Sequence, residues 1–328
     1  MRTKTPAYAL QASAGQPALR PDGNGLVRRN PQGVRGRARL GKPRLLIIGC
    51  GKVGLTIVAR LNRRFRVIAT TTSSQQRQAL REAGAIPMLI DLDGRAADRL
   101  QGFASRVICL VPPAPEGQAD RRIARLLYLL RRPPTHFVYM STTGVYGDRS
   151  GAFVDETAQP APITERARRR VDSERRVRAR PWRASVLRVP GIYGPGRLPL
   201  ERLRRAIPAP LPAEDVLTNH IHLDDLARIC IAALFRAAPR RVYNAVDDSG
   251  LQLGEYLDLV ADRFDLPRAP RLPRDALRRA VSPMQFSFFE ESRRLDNRRI
   301  KNELRVRLRF PTAREGVTAA VSEAPEPD

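Results

Sequence analysis

Lysine is nearly missing from this chain. Only Lys4, Lys42, Lys52 and Lys301 are Lys among 59 basic residues, and the formal net charge is +26. An arginine excess spread over the whole length reads as a coding preference, not a nucleic-acid patch, so nucleic acid is not the expected partner. The charge still favours anionic partners, phosphate-bearing small molecules among them. Cysteine is scarce too: Cys50, Cys109 and Cys230 have neither metal nor disulfide spacing. With only His136, His220 and His222 beside them, no metal centre is expected, and the thiols suit a reducing, cytoplasmic setting. Long apolar runs are absent as well. No stretch approaches the ~18–20 residues of a membrane span, and the start has no apolar core of a secretory signal. Basic runs such as 166–170 and 203–206 sit on candidate helices, where their charges are expected to face water.

What is present falls into two kinds of sequence. Residues 1–42 are rich in Gly, Pro and Arg, hold nine Lys/Arg against the single acid Asp22, and read as a disordered basic tail. From residue 44 short apolar runs alternate with helical periodicity. Strands are expected at 44–49, 65–70, 86–91, 106–111 and 136–141, with helices at 53–61, 75–85, 95–103 and 118–131 between them. This is the pattern of βαβ units and a parallel sheet: an α/β, Rossmann-type doubly wound fold. After residue 141 the alternation loosens. A loop at 147–162 leads to a very polar helix at 163–178 and a strand at 184–189. A helix at 223–236, a strand at 241–247 and helices at 252–265 and 293–305 follow. The expected division is a dinucleotide-binding domain at 43–190 and a smaller substrate-binding region at 191–317, with strand 241–247 returning to the first sheet. A short disordered tail, 318–328, closes the chain.

The stretch GCGKVG (49–54) follows a strand and opens a helix. In that setting Gly49 permits a tight turn, Gly51 lets the backbone approach a pyrophosphate, and Gly54 lets helix and strand pack closely. Lys52, Val53 and the helix N-terminus complete the phosphate site. The second strand ends in TTTSSQQR (70–77) with no acid. Thr70 and Thr71, with Arg77 nearby, tolerate a 2′-phosphate where a carboxylate would repel it, which favours NADP over NAD. Asp91 and Leu92 end the third strand on the adenine side; a helix cap or turn is the competing role for Asp91.

Five segments then occur in order: GCGKVG, STTGVYG (141–147), LRVPGIYGPGR (187–197), NHIHLDDLA (219–227) and VYNAVDD (242–248). Together they resemble the extended short-chain dehydrogenase/reductase superfamily, the NAD(P)-dependent epimerase/dehydratase group, over about residues 44–315. The resemblance implies a Rossmann domain with a smaller C-terminal region, and a substrate cleft between them. It also implies nucleotide-sugar or related small-molecule chemistry. Such proteins use a Ser/Thr and a Tyr-x-x-x-Lys pair, and the Ser/Thr carries over onto Thr142.

The pair does not carry over. Its positions fall on Thr164 and Arg168, and none of the seven Tyr has Lys four residues later. A Thr hydroxyl is a poor proton shuttle beside a phenol of pKa about 10. Tyr146 and Tyr193 are the candidate phenols, each with packing as its competing role. Ser141 is expected beside the cofactor, and Arg188, Asn219, His222 and Tyr193 toward an anionic substrate. Asp224 and Asp225 suit the first turn of a helix. The sequence thus leaves two main readings open: an NAD(P)-dependent oxidoreductase or epimerase-like protein with a non-standard site, and a non-catalytic NAD(P)-binding sensor. A homodimer is compatible with either.

Overall fold

The computed structural model describes residues 41–94, 100, 102–130 and 133–322. The basic tail up to residue 40, most of the expected helix at 95–103 and the last six residues lie outside the described residues. The first half alternates as read: β1 (Arg44–Ile48), α1 (Lys52–Leu61), β2 (Arg66–Thr71), α2 (Gln76–Glu82), β3 (Ile86–Leu89), β4 (Arg106–Cys109), α3 (Arg121–Leu129) and β5 (His136–Thr142). These strands join Ala184–Val189 and Val242–Asn244 in a seven-stranded sheet, and every pairing is parallel. Strand β1 lies between β2 and β4, with Leu45 opposite both Val67 and Arg106. The chain order reverses there, which opens a crevice at the C-terminal ends of β1 and β4.

The strands read as continuous apolar runs because helices cover both faces. On one face Leu45 and Ile47 pack with Ile57 and Val58 of α1 and with Leu226 and Cys230 of the helix Leu223–Arg236. On the other, Leu46 and Ile48 meet Leu126 of α3 and Phe137. These two layers hold most of the buried apolar residues.

Beyond residue 190 the chain builds small pieces around a separate apolar cluster that includes Tyr193, Leu203, Leu257, Val260 and Val317. The expected helix at 293–305 is instead a two-residue strand, Arg294–Leu295, followed by the short helix Arg298–Asn302. The Asn219 side chain explains the change. It donates to the Arg293 carbonyl at 3.0 Å and accepts from the Leu295 N–H at 3.0 Å, which holds the segment extended. The last helix, Ala313–Ser322, continues five residues into the stretch expected to be tail. Ser249 accepts from the Ala313 N–H at its start, and Val317 and Ala320 are buried.

Candidate active site

The phosphate-type turn is made of backbone. Gly49 has φ +77°, and a Cβ there would lie 2.6 Å from the Val111 side chain and 3.1 Å from its backbone. A Cβ on Gly54 would strike the Cys50 sulfur at 2.5 Å, so this glycine sets the approach of α1 to the sheet. Gly51 differs from both. A Cβ there meets nothing within 4 Å. Gly51 also caps α1 without a side-chain bond, and the first turn holds no acid. The unpaired N–H groups and positive dipole end of α1 therefore face open space, which is what an anion needs. Val53 is buried behind the turn, while exposed Lys52 donates from Nζ to the Gly196 carbonyl at 2.8 Å. Lys52 thus ties the turn to the 194–197 loop.

Residues expected to hold the adenosine half are already engaged. The Thr70 hydroxyl accepts from the Gly49 N–H at 2.9 Å and is buried. Buried Thr71 bonds Gln76 at 2.8 Å and accepts from the Ser73 N–H at 3.1 Å, shaping the turn into α2. Asp91 is exposed and accepts from the Asp93 N–H, an Asx turn, and Leu92 packs into the core. The Arg77 Nε is buried and makes no hydrogen bond.

The hydroxyls at the end of β5 border a buried hydrogen-bond network. Ser141 donates to Glu174 Oε1 at 2.6 Å, and Arg188 grips the same carboxylate with Nε at 3.1 Å and Nη2 at 2.7 Å. Arg188 and Glu174 are 2% and 3% exposed, so Arg188 is a buried structural cation and not a surface phosphate ligand. Its guanidinium lies 4.6 Å from the Tyr146 ring centroid, and the Tyr146 hydroxyl donates to Asn244 Oδ1 at 2.7 Å. Burial raises the Tyr146 phenol pKa, opposite to what a proton shuttle at neutral pH requires. Thr142 alone in this group is half-exposed; its hydroxyl accepts from the Gly144 N–H at 3.3 Å and keeps a donor to give.

Helix α4 (Glu165–Arg178) begins at Thr164, whose hydroxyl accepts from the Ala167 N–H at 3.2 Å. Thr164 is therefore a helix cap. Arg168 is exposed and lines an outer cleft of about 560 Å³ with Gln118, Glu165 and Arg175. The arginines that face the sheet are instead Arg169 and Arg170, 5% and 6% exposed, which corrects the expectation that the 166–170 run faces water. Their stems fill the core, and their heads reach loop and strand-end carbonyls.

Tyr193 is also buried. It donates to the Thr312 carbonyl at 3.2 Å, and a Cβ on Gly316 would touch its ring at 2.6 Å. Burial and the neighbouring Asp247 push its pKa far up. His222 caps the helix Leu223–Arg236 by accepting from the Asp224 N–H at 3.2 Å. Asn219 is spent on 293–295, as described above. Two further titratable groups are buried here, His220, which the sequence placed on a loop facing substrate, and Asp247, which it left without a role. Asp247 is pushed up to about 7, chiefly by burial, and His220, stacked on Tyr256 at 4.1 Å, is pushed down to about 4 by the same cause. Burial also lifts the three thiols to about 12, so none is a ready nucleophile. Among the described residues no His/Cys/Asp/Glu group could hold a metal, and no helix is long and apolar enough to cross a membrane.

The structure thus brings the Gly49–Gly54 turn, Lys52 and Thr142 to the strand ends with free surface, and commits Ser141, Tyr146, Arg188, Asn219 and Tyr193 to the fold. Known proteins share this fold. No protein-family model matches the chain. Protein YeeZ of Escherichia coli (strain K12) is 27% identical over 216 residues, 61% of this chain and 76% of YeeZ. Human epimerase family protein SDR39U1, solved with NADPH, superposes with TM-score 0.68 at 18% identity over 86% of this chain and all of its own. UDP-glucuronic acid 4-epimerase of Bacillus cereus, solved with NAD, gives TM-score 0.67 at 16% identity over 85% and 97%. A functionally unknown conserved protein of Silicibacter pomeroyi DSS gives TM-score 0.75 at 31% identity, over 86% of this chain and 99% of its own. The chain therefore belongs to one family with the Silicibacter protein and has the Rossmann-type fold of the NAD-dependent epimerase/dehydratase structures.

Proposed function

We propose that the chain is an NAD(P)-binding oxidoreductase or epimerase-like protein of the extended short-chain dehydrogenase/reductase type, with a non-standard active site. One observation carries the reading: Gly51 presents open space at an uncapped helix N-terminus, while its neighbours Gly49 and Gly54 are fixed by contact. In this reading Gly49, Gly51, Lys52, Val53 and Gly54 hold the pyrophosphate. Residues 43–190 form the cofactor-binding part and 191–317 the substrate-binding region. A bound nicotinamide would supply or accept hydride. Thr142, with its hydroxyl proton free to give, orients a substrate oxygen. Neutral Ser and Thr after β2, and Arg77 with its unbonded Nε, favour NADP over NAD. Nucleotide sugars are the substrate class suggested by the Bacillus epimerase. We place the protein in the cytoplasm and leave a homodimer as its proposed assembly.

A second reading has its own support. Tyr146 and Tyr193 are both buried and hydrogen-bonded, so neither offers a phenol to a substrate. A dinucleotide sensor without turnover fits that arrangement. Fluorescence titration with NADPH and NADH tests both. Micromolar binding, tighter for NADPH, supports the shared cofactor reading, and oxidation of bound NADPH in a substrate screen then separates enzyme from sensor. Failure of a folded protein to bind either nucleotide contradicts both.

A further inference from the structure

The i, i+4 spacing puts Arg166 and Arg170 on one face of α4. Arg170 donates from Nη1 to the Val111 carbonyl at 3.0 Å, the Met140 carbonyl at 2.9 Å and the Tyr139 hydroxyl at 2.9 Å. Val111 is the residue that a Cβ on Gly49 would strike, so Arg170 reaches the strand ends beside the phosphate-type turn. Arg169 donates to the Gly117 and Pro115 carbonyls at 2.7 and 2.9 Å.

Among the described residues neither of these buried cations has a buried ion-pair partner. The ion-pair partner of Arg169 is Glu165 at 3.5 Å, itself 78% exposed, and Arg170 has no ion pair among the described residues. The Nε of each is buried without a hydrogen bond. A guanidinium stays charged at any ordinary pH, so neutral carbonyls solvate it only in part. An anion nearby would offset that cost.

Arg166 is the exposed member of the set, and it has no acidic partner among the described residues. Its turn of α4 abuts the hydroxyl segment: a Cβ on Gly144 would sit 3.7 Å from Thr142 and 3.9 Å from Ala167. We propose that Arg166, backed by Arg170, docks an anionic group of the substrate, a carboxylate or a phosphate, whose reacting end reaches Thr142. This deepens the reading above and rests on it. A guanidinium binds two oxygens at once and keeps its protons, so this end of the cleft orients substrate and transfers no proton.

Inorganic phosphate and malonate are the probes, titrated calorimetrically at low ionic strength. Gly51→Asp protein is used, so that the phosphate-type turn is closed to both, alongside NADPH-saturated wild type. The expected result is millimolar or tighter binding of one of the anions. It weakens at least tenfold when Arg166→Gln is added and is partly restored by Arg166→Lys, and the preferred probe tells phosphate from carboxylate. Arg166→Gln should fold, since the residue is exposed, and its NADPH affinity should match wild type; should it not fold, Arg166→Lys against wild type gives the same comparison. Anion binding that ignores residue 166, or is absent, overturns the proposal. Anion binding that depends on Arg166 in a protein that does not bind NADPH overturns the cofactor reading instead.

Discussion

Two polar regions meet at the C-terminal edge of the sheet, and they are built in opposite ways. The Gly49–Gly54 turn is backbone with space in front of it. The Ser141–Tyr146 segment is side chains largely engaged: Ser141 and Arg188 both donate to Glu174, Arg188 lies over the Tyr146 ring, and Tyr146 donates to Asn244. Both regions are polar and both lie where α/β sheets keep their sites. The first keeps a row of backbone donors for a ligand, and in the second Thr142 is the hydroxyl with a proton left to give. Position in the fold nominates a site, and unspent hydrogen-bonding capacity decides it.

That contrast can be broken first at its filled half. Glu174→Gln leaves Arg188 buried with its charge unpaired, and should cost about 3–5 kcal/mol of unfolding free energy. A urea titration showing less than 1 kcal/mol would mean that the network is not structural. Next comes the turn itself. Gly49→Ala forces a Cβ against Val111 at positive φ and should cost about 2–4 kcal/mol, whereas Gly51→Ala meets no neighbour and should cost about 1 kcal/mol or less, the weaker N-cap alone. Equal thermal shifts for the two would erase the distinction between a packed and an open glycine. Tyr146→Phe removes one buried hydrogen bond to Asn244. It should cost about 1–2 kcal/mol while leaving NADPH affinity as it was.

The smallest expected effect is on pH dependence. The folded Asp247 carboxyl is raised from 3.8 to about 7, so the fold favours its protonated form. Its stabilising contribution is complete below pH 3.8 and is lost as pH rises through 7. His220 is lowered from 6.5 to about 4, so its contribution is present above pH 6.5 and is lost as pH falls through 4. The two slopes oppose each other across the range they share. Asp247→Asn should therefore remove the falling slope and let stability rise with pH between 4 and 6.5, as read by thermal unfolding across a pH series. An unchanged profile would show that Asp247 ionises as a surface carboxylate does.

The sheet was legible because its strands are apolar runs at regular intervals, from Leu45–Ile48 to Phe137–Met140. The glycine turn was legible because strand, turn and helix are local. The rest depended on partners far along the chain. Ser141 and Arg188 read as site residues because their partner, Glu174, lies 33 and 14 positions away on a helix that looked wholly solvated. Arg169 and Arg170 defeated the hydropathy pattern because an arginine stem packs like an aliphatic side chain while its head finds carbonyls. The same limit explains residues 293–305, where helical periodicity lost to two hydrogen bonds from Asn219. Asp247 had one available signal, a carboxylate directly after an apolar strand, but its burial comes from contacts across the smaller region.

Thermal unfolding of wild type and Gly51→Asp, each with and without saturating NADPH, tests the central claim most directly. The account predicts that without nucleotide the variant melts no lower than the wild type, since the new side chain meets nothing in the protein and an Asp at this N-cap can accept from the free N–H groups of α1. With NADPH, only the wild type should rise. A matching rise in the variant would contradict the account: the open glycine would then not be where the nucleotide binds.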